Sequence, residues 1–533
     1  MKNKFLPIAA LVLCLFLFQV PAYLAQRVES YFEFHLKPGP YAAGFKSVNQ
    51  YDYSRTFYYG YDNLGNPVKE NARPMQISIW YPADPEKARN APRMKFKEYL
   101  YLMAHELGFP PLTEKLKKET LEALYYNWGI APEREKEEDV LTTAVRDAVP
   151  ASGSFPLVVY GAAMNSVSFE NDALCEYLAS HGYIVVSSPG MGRFTREMGL
   201  GIDDVETQAR DMEFLLGYMQ RFPRVNREKV AVMGFSRGAM ANVLTAMRDS
   251  RVDALVCLDS ALRDPKHILH ESPDHNPDNI SMPSLFIISK EIPDALWKKA
   301  GLAPPKDRQF KFYEMLKYSD AYLLQFHTLT HYNLASALTR LIVPDPQLSS
   351  SREEINRGHS FMCKYVRMFL DAYLKEDAAA LAFMARTPAA NGIPDNLMTK
   401  KSKTRDLPPP RTSAFLHQLK KNGIRSISQH YAQLKKNYPD YQIDKDILLN
   451  FGWELCKNRD LDDAEAVFRF IIEIDPKSFY AYYGIGDVYR LRGQIEPAIK
   501  AYEKSLELKP IFRGAAKQLE KLKKQKKEKT PTS

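Results

Sequence analysis

Apolar residues along this chain follow two patterns, which change near residue 400. Before that point, short runs of aliphatic and β-branched residues alternate with longer stretches whose apolar residues have helical spacing. The runs predict strands over residues 156–160, 183–187, 230–233, 254–258, 284–288 and 321–326. Strands that are apolar on both faces are typical of a parallel sheet covered by helices on both sides. We therefore predict an α/β fold, with a mostly parallel sheet, for this part of the chain.

The segments that flank these runs extend the predicted domain to residues 30–385. Met75, Ile77 and Ile79 alternate with polar residues, which predicts antiparallel strands before the parallel ones. Residues of about 92–149 are charged and have helical spacing, so we predict a helical insertion there. A closing helix is predicted over residues 360–375.

The last part of the chain contains an internal repeat. Gly452, Ala464, Phe468 and Pro476 recur 34 residues later, as Gly486, Ala498, Tyr502 and Pro510. This period and these residue types resemble tetratricopeptide repeats, in which small residues let paired helices approach and an aromatic ring fills the gap between them. With a degenerate helical pair over 413–438 and a capping helix over 514–524, we predict a small all-α repeat domain over 413–524.

Repeats of this kind usually bind a protein or peptide partner, and the alternative for a short array is that it only packs against its own enzyme. Residues 386–412 are rich in Pro, Lys, Thr and Asn, which predicts a linker between the two domains. Residues 525–533 are predicted to form a basic tail.

The sequence Gly-Phe-Ser-Arg-Gly at 234–238 lies between a predicted strand and a predicted helix. That context is the one in which Gly-x-Ser-x-Gly forms a nucleophile elbow, with the serine hydroxyl exposed on a sharp turn. Side chains at Gly234 and Gly238 would collide with the neighbouring strand and helix. We therefore predict that Ser236 is a catalytic nucleophile.

A serine nucleophile needs a histidine base, and the base needs an acid that holds its tautomer. In this type of fold both follow the serine along the chain, at the ends of later strands. The histidine candidates are His331 and, in reserve, His327, which both follow the last predicted strand. The acid candidates are Asp259, Glu291 and Asp294, which follow the two strands after the elbow.

An ordered set of segments resembles the platelet-activating-factor acetylhydrolase and dienelactone-hydrolase-like branch of the α/β-hydrolases. The set comprises Val-Tyr-Gly-Ala-Ala at 159–163, Leu-Ala-Ser-His-Gly-Tyr-Ile-Val at 178–185, the elbow, and Leu-Asp-Ser at 258–260, within a resemblance that spans residues 39–375. The resemblance implies that Asp259 is the acid and His331 the base. It also implies an oxyanion hole formed by the backbone amides of Ala162 and Arg237.

The chain departs from that branch at two positions. Tyr160 stands where a histidine is usual before the oxyanion loop, and Leu334 stands where an aromatic residue is usual. The predicted activity is nevertheless that of a serine hydrolase that cleaves an ester or related acyl substrate without a cofactor. A peptidase or amidase with the same triad, and a repeat scaffold whose hydrolase has lapsed, are the alternatives.

Three further histidines lie on a loop broken by prolines. The spacing of His267, His270 and His275 fits no standard metal site, so we predict no bound metal and a lid beside the active site instead.

The N-terminus predicts export. Lys2 and Lys4 precede an apolar run over residues 5–20 and small residues at Ala22 and Ala25, which is the pattern of a signal peptide over residues 1–25. An uncleaved membrane anchor is the alternative, so we predict a periplasmic or secreted protein, or one anchored by this segment.

Charge and cysteines add two expectations. The net charge of +9 is carried largely by C-terminal lysines without a recognition motif, so no nucleic-acid partner is predicted. Cys14 lies in the predicted signal peptide, and the other four cysteines have no Cys-x-x-Cys spacing. These four are predicted to be buried free thiols: Cys175, Cys257, Cys363 and Cys456.

Overall fold

The computed structural model describes residues 30–58, 70–260, 262, 268–299, 304, 309–343, 346–348, 350–406, 412–439 and 441–529. The predicted signal peptide therefore lies outside the described residues. Within those that are described, no helix is both long enough and apolar enough to cross a membrane. The chain divides into two compact units, Met1–Asp406 and Leu407–Ser533.

The first unit is built on a mixed sheet, which has ten strands within the described residues. The strands are β1 (Ala42–Tyr58), β2 (Glu70–Ala83), β3 (Ala144–Arg146), β4 (Phe155–Gly161), β5 (Ile184–Ser188), β6 (Val225–Phe235), β7 (Ala254–Leu258), β8 (Ser284–Ile288), β9 (Ala321–Phe326) and β10 (Met398–Lys403). Their order across the sheet is β10-β9-β8-β7-β6-β4-β5-β2-β1-β3. Strands β4 to β9 are parallel to one another, and β2 pairs with β1 and β5 antiparallel.

Helices alternate with the strands in the first unit, and only helices are present among the described residues of the second unit. The α-helices are α1 (Pro85–Ala88), α2 (Lys97–Leu100), α3 (Glu114–Trp128), α4 (Asp172–Ser180), α5 (Ile202–Met219), α6 (Arg237–Arg248), α7 (Asp294–Lys299), α8 (Lys311–Met315), α9 (Ser336–Leu341), α10 (Arg352–Leu374), α11 (Ala378–Ala385), α12 (Thr412–Asn422), α13 (Ile427–Asn437), α14 (Lys445–Asn458), α15 (Leu461–Ile474), α16 (Phe479–Leu491), α17 (Ile495–Leu508) and α18 (Arg513–Lys529). Short 3₁₀ helices cover Tyr101–His105, Pro132–Asp139, Ile268–Glu271, Pro277–Asn279, Tyr332–Leu334, Ala389–Asn391 and Ile424–Ser426.

Two apolar cores cover the two faces of the sheet. Val158 and Tyr160 of β4 point into the core shared with α4 and α10. Leu157 and Val159, the alternate residues of the same strand, point into the core shared with α5 and α6. Because successive side chains on a strand point to opposite faces, this run must be apolar throughout. The strand order and the two helical layers are those of the α/β-hydrolase fold, which confirms the predicted fold class.

The predicted linker over residues 386–412 is wrong in its first part. Residues Met398–Lys403 form β10, which pairs antiparallel with β9 at the edge of the sheet. Leu397 and Met398 are buried in the first core. The lysines and threonine of this segment resemble a linker in composition, but alternate residues of an edge strand face solvent and can be charged. The first unit therefore continues to Asp406.

Three other predicted boundaries also shift. The helical insertion over 92–149 contains α2 and α3 but also the short strand β3, which pairs parallel with β1. The closing helix begins at Arg352, where Ser351 and Glu354 form a capping box, so it starts earlier than the predicted residue 360. The basic tail predicted from residue 525 begins inside α18.

The second unit is a stack of helical pairs, as its repeat predicts. A Cβ on Gly452 would lie 2.7 Å from the ring of Phe468, and one on Gly486 would lie 2.5 Å from the ring of Tyr502. Each glycine therefore lets an aromatic ring of the following helix pack directly against the helix backbone. The four described cysteines are buried free thiols, as predicted.

Candidate active site

Ser236 lies on a strained turn between β6 and α6. Its φ is 54° and its ψ is −118°, a conformation that residues other than glycine rarely adopt. A Cβ on Gly234 would lie 2.6 Å from the carbonyl carbon of Gly238, so the turn closes only with glycine at this position. Ser236 precedes α6 but makes no side-chain capping hydrogen bond to it. Its hydroxyl is therefore available to another partner.

That partner is His331, which follows β9. His331 Nε2 lies 3.1 Å from Ser236 Oγ, and His331 Nδ1 lies 2.8 Å from Asp259 Oδ2. An ionised carboxylate only accepts hydrogen bonds, so Nδ1 carries the proton and Nε2 is left to accept from the serine hydroxyl. The Asp259 side chain is 8% exposed and that of His331 is 32% exposed, so the acid is shielded while the base is partly exposed to solvent.

Backbone groups hold the acid in place. Asp259 follows β7 with a φ of 44°, and its Oδ1 accepts a hydrogen bond from the Ser289 amide at 3.0 Å. Oδ2 is thereby directed at the histidine.

The loop that carries the histidine is held by Asn333. The Asn333 side-chain oxygen accepts a hydrogen bond from the Thr330 hydroxyl at 2.7 Å. The backbone carbonyl of Asn333 lies 2.8 Å from His359 Nδ1. Burial lowers the pKa of His359 to about 4, so this imidazole is neutral and donates from Nδ1. His359 lies inside α10 and supports the loop that bears His331.

The alternative candidates lie elsewhere. His327 is exposed, and its backbone amide pairs with the carbonyl of Leu397 beside the edge strand. Glu291 and Asp294 are exposed beyond the end of β8. Of the candidates for the triad, the structure thus joins Ser236, His331 and Asp259 in one hydrogen-bonded series through His331.

Two residues are predicted to form an oxyanion hole: Ala162 lies on the loop after β4, and Arg237 is the first residue of α6. The two segments are in direct contact. A Cβ on Gly238 would lie 2.2 Å from the carbonyl oxygen of Gly161 and 2.4 Å from that of Ala162. The loop after β4 therefore packs backbone to backbone against the first turn of α6. The Arg237 side chain donates to the carbonyl of Gly201 at 2.6 Å, and burial lowers the pKa of its guanidinium.

Two buried polar side chains hold the loop after β4, and no sequence motif indicates either of them. Gln208 of α5 donates a short hydrogen bond to the carbonyl of Ala162. Glu170 accepts from the Ala163 amide at 2.9 Å and from the Tyr160 hydroxyl at 2.8 Å.

The predicted lid differs from the structure where it is described. His267 lies outside the described residues. Residues 268–280 pack beside the C-terminal end of α6, where Asp274 accepts from Arg248 at 3.0 Å. Ser236 lies at the opposite end of that helix, so this part of the loop does not border it. Among the described residues, no group of three or more His, Cys, Asp or Glu side chains is arranged to hold a metal ion.

Comparison with known proteins identifies the repeats. Residues 479–512 match the tetratricopeptide repeat family. No curated protein matches the chain in sequence. Among solved structures, the chain is similar to the ferulic acid esterase from Streptomyces cinnamoneus, with 19% sequence identity and a TM-score of 0.45, over 69% of this chain and 98% of that one.

Proposed function

We propose that the first unit is a serine hydrolase that cleaves an ester or a related acyl substrate. The observation that carries the proposal is the continuous hydrogen-bonded series Ser236–His331–Asp259. Neutral serine is a weak nucleophile, and a base at hydrogen-bonding distance is what activates it. Ser236 also occupies the strained turn typical of such nucleophiles.

The geometry supports a two-step mechanism. His331 Nε2 takes the hydroxyl proton as Ser236 Oγ attacks the substrate carbonyl, and Asp259 stabilises the resulting imidazolium. The backbone amides of Ala162 and Arg237 donate to the oxyanion, which is usually the largest single contribution to such catalysis. The imidazolium then protonates the leaving alcohol, and an acyl-enzyme remains. Water activated by the same imidazole releases the acid.

The finer assignment rests on the position of the acid. Asp259 follows the strand directly after the elbow strand, where the acetylhydrolase-like branch carries its acid. We therefore propose a carboxylic ester hydrolase related to that branch.

The pattern of residues 1–25 supports export, and we propose a periplasmic or secreted enzyme. The second unit is proposed to bind a protein or peptide partner, which the tetratricopeptide match at 479–512 supports.

A fluorophosphonate probe and a series of p-nitrophenyl esters of increasing acyl length test the proposal. We expect stoichiometric labelling of the wild type, none of Ser236→Ala, and ester turnover that depends on acyl length. Labelling without turnover of any ester, but with turnover of p-nitroanilides, would assign the protein to amidases. Absence of both labelling and turnover would leave the repeats as the working part of the chain.

A further inference from the structure

The loop that carries the proposed oxyanion donor Ala162 is joined to a buried acid eight residues further along the chain. Glu170 and Tyr160 are both 0% exposed. One oxygen of Glu170, Oε1, accepts both from the Ala163 amide at 2.9 Å and from the Tyr160 hydroxyl at 2.8 Å. The two donors lie on either side of Gly161 and Ala162. A single carboxylate oxygen therefore binds the chain on both sides of Ala162, the proposed oxyanion donor.

The carbonyl of the peptide group that contains the Ala163 amide is also held. Gln208 donates to the Ala162 carbonyl, and the Ala163 amide belongs to the peptide group that this carbonyl begins. With its oxygen bonded to Gln208 and its nitrogen bonded to Glu170, this peptide plane cannot rotate without breaking two buried hydrogen bonds.

The next residue connects this arrangement to the histidine loop. Asn171 donates to the Leu334 carbonyl at 2.9 Å, three residues after His331. The Glu170 backbone carbonyl accepts from the Ala337 amide at 2.9 Å. The segment that bears Glu170 is thereby anchored to the element that carries the base.

We propose that Glu170 is a positioning residue, which together with Tyr160 and Gln208 holds the Ala162 amide towards the oxyanion. This inference rests on the proposed hydrolase function. It also gives a role to Tyr160, which stands where the acetylhydrolase-like branch usually has a histidine. A tyrosine hydroxyl reaches the carboxylate and satisfies one of its lone pairs, while the ring remains buried in the first core.

Because an oxyanion hydrogen bond is made in the transition state, its loss lowers kcat more than it raises KM. Glu170→Gln retains an amide oxygen that can accept from both donors, whereas Glu170→Leu retains none. We expect Glu170→Gln to stay within about threefold of the wild-type kcat and Glu170→Leu to lose about 10- to 100-fold, with KM changed by less than about threefold. Glu170→Asp keeps the carboxyl group but withdraws its oxygens from both donors, and we expect the same loss of kcat as in Glu170→Leu. It therefore supplies the test if Glu170→Leu does not fold.

Hydrogen exchange measured by mass spectrometry supplies a readout that does not depend on turnover. The peptide over residues 160–166 should exchange faster in Glu170→Leu and Glu170→Asp than in the wild type, and at the wild-type rate in Glu170→Gln. Wild-type exchange in both of the disrupting variants would overturn the positioning role, as would equal losses of kcat in Glu170→Gln and Glu170→Leu. If the wild type hydrolyses no ester, the proposed function fails, and the exchange comparison still decides whether Glu170 holds the loop.

Discussion

At the scale of single residues, the proposed chemistry depends on three side chains acting as a unit. Ser236→Ala, His331→Ala and the double variant should lose similar amounts of kcat/KM, because each breaks the same proton transfer. Rates with one activated p-nitrophenyl ester measure this. His327→Ala is the matched control, since His327 is exposed and belongs to the same loop region. Additive losses of kcat/KM in the double variant, or an inactive His327→Ala variant, would contradict the assignment of His331 as the base that acts on Ser236.

The acid makes a separate prediction. Asp259→Asn presents an amide where a carboxylate accepts from His331 Nδ1, so the wrong imidazole tautomer is favoured. We expect kcat to fall by about three to four orders of magnitude with the fold retained. Kinetics with the same ester and a thermal melt measure the two effects. Asp294→Asn serves as the control, and normal turnover in Asp259→Asn would refute its role.

Glu170 also makes the stability of the protein depend on pH. Burial raises the pKa of Glu170 to about 7, whereas an exposed glutamate ionises near 4.5. Between these values the folded state keeps a proton that the unfolded state has released, so rising pH favours unfolding. The contribution is present below pH 4.5 and is lost as pH rises through about 7, and it amounts to at most about 3 kcal/mol.

Glu170→Gln tests this dependence, because glutamine stays neutral at every pH. The melting temperature of the variant minus that of the wild type should increase as pH rises from 5 to 8. Of the titratable groups beside Glu170, Tyr160 and Cys175 have pKa values raised well above their ordinary range by burial, so both stay neutral over this interval. A constant difference in melting temperature across the interval would contradict the prediction.

At the scale of elements, a buried ion pair joins strand β2 to helix α5. Asp211 accepts from Arg73 at 2.6 Å, and the two side chains are 1% and 0% exposed. Arg73 also donates to the carbonyls of Met191 and Gly192, so the charge is well coordinated. Removal of one partner leaves an uncompensated charge inside the fold.

Asp211→Ala should therefore lower the free energy of unfolding by about 3–5 kcal/mol. The control on the same helix is Asp203→Ala, whose partner Arg193 lies 3.4 Å away with both side chains more than half exposed. Such a surface pair contributes about 0–1 kcal/mol. Chemical denaturation of both variants measures the two changes in the free energy of unfolding. Equal changes would show that the buried pair stabilises the fold no more than the surface pair does.

At the scale of the whole molecule, the first unit ends at Asp406 and not at residue 385, where the predicted domain ends. A chain that ends at Asp406 should fold and retain ester hydrolysis, because it keeps every strand of the described sheet. A chain that ends at Thr387 lacks β10, which leaves the outer edge of β9 unpaired, and it also lacks the core residues Leu397 and Met398. We expect that shorter chain to be insoluble or strongly destabilised.

Expression of both truncated chains, followed by melts and ester kinetics, decides the point. Loss of activity in the chain that ends at Asp406 would mean that the second unit contributes to the hydrolase. Full stability of the chain that ends at Thr387 would mean that β10 is dispensable for the fold.

The sequence by itself determined what local pattern controls. Apolar runs specified the strands of the parallel sheet, the glycines around Ser236 specified the elbow, and the 34-residue period specified the paired helices of the second unit. Each signal works because a few neighbouring residues are enough to select a backbone conformation. The histidine and acid candidates were also few, since they had to follow strand ends.

Only the tertiary structure decided between those candidates and located their supports. Asp259 lies beside His331 because β7 and β9 end at the same edge of the sheet, and 72 residues separate them along the chain. β10 has the composition of a linker and becomes a strand only because β9 presents an unpaired edge. Glu170 carries no motif at all. Its position beside the loop after β4 depends on burial and on contacts between elements, which local spacing does not encode.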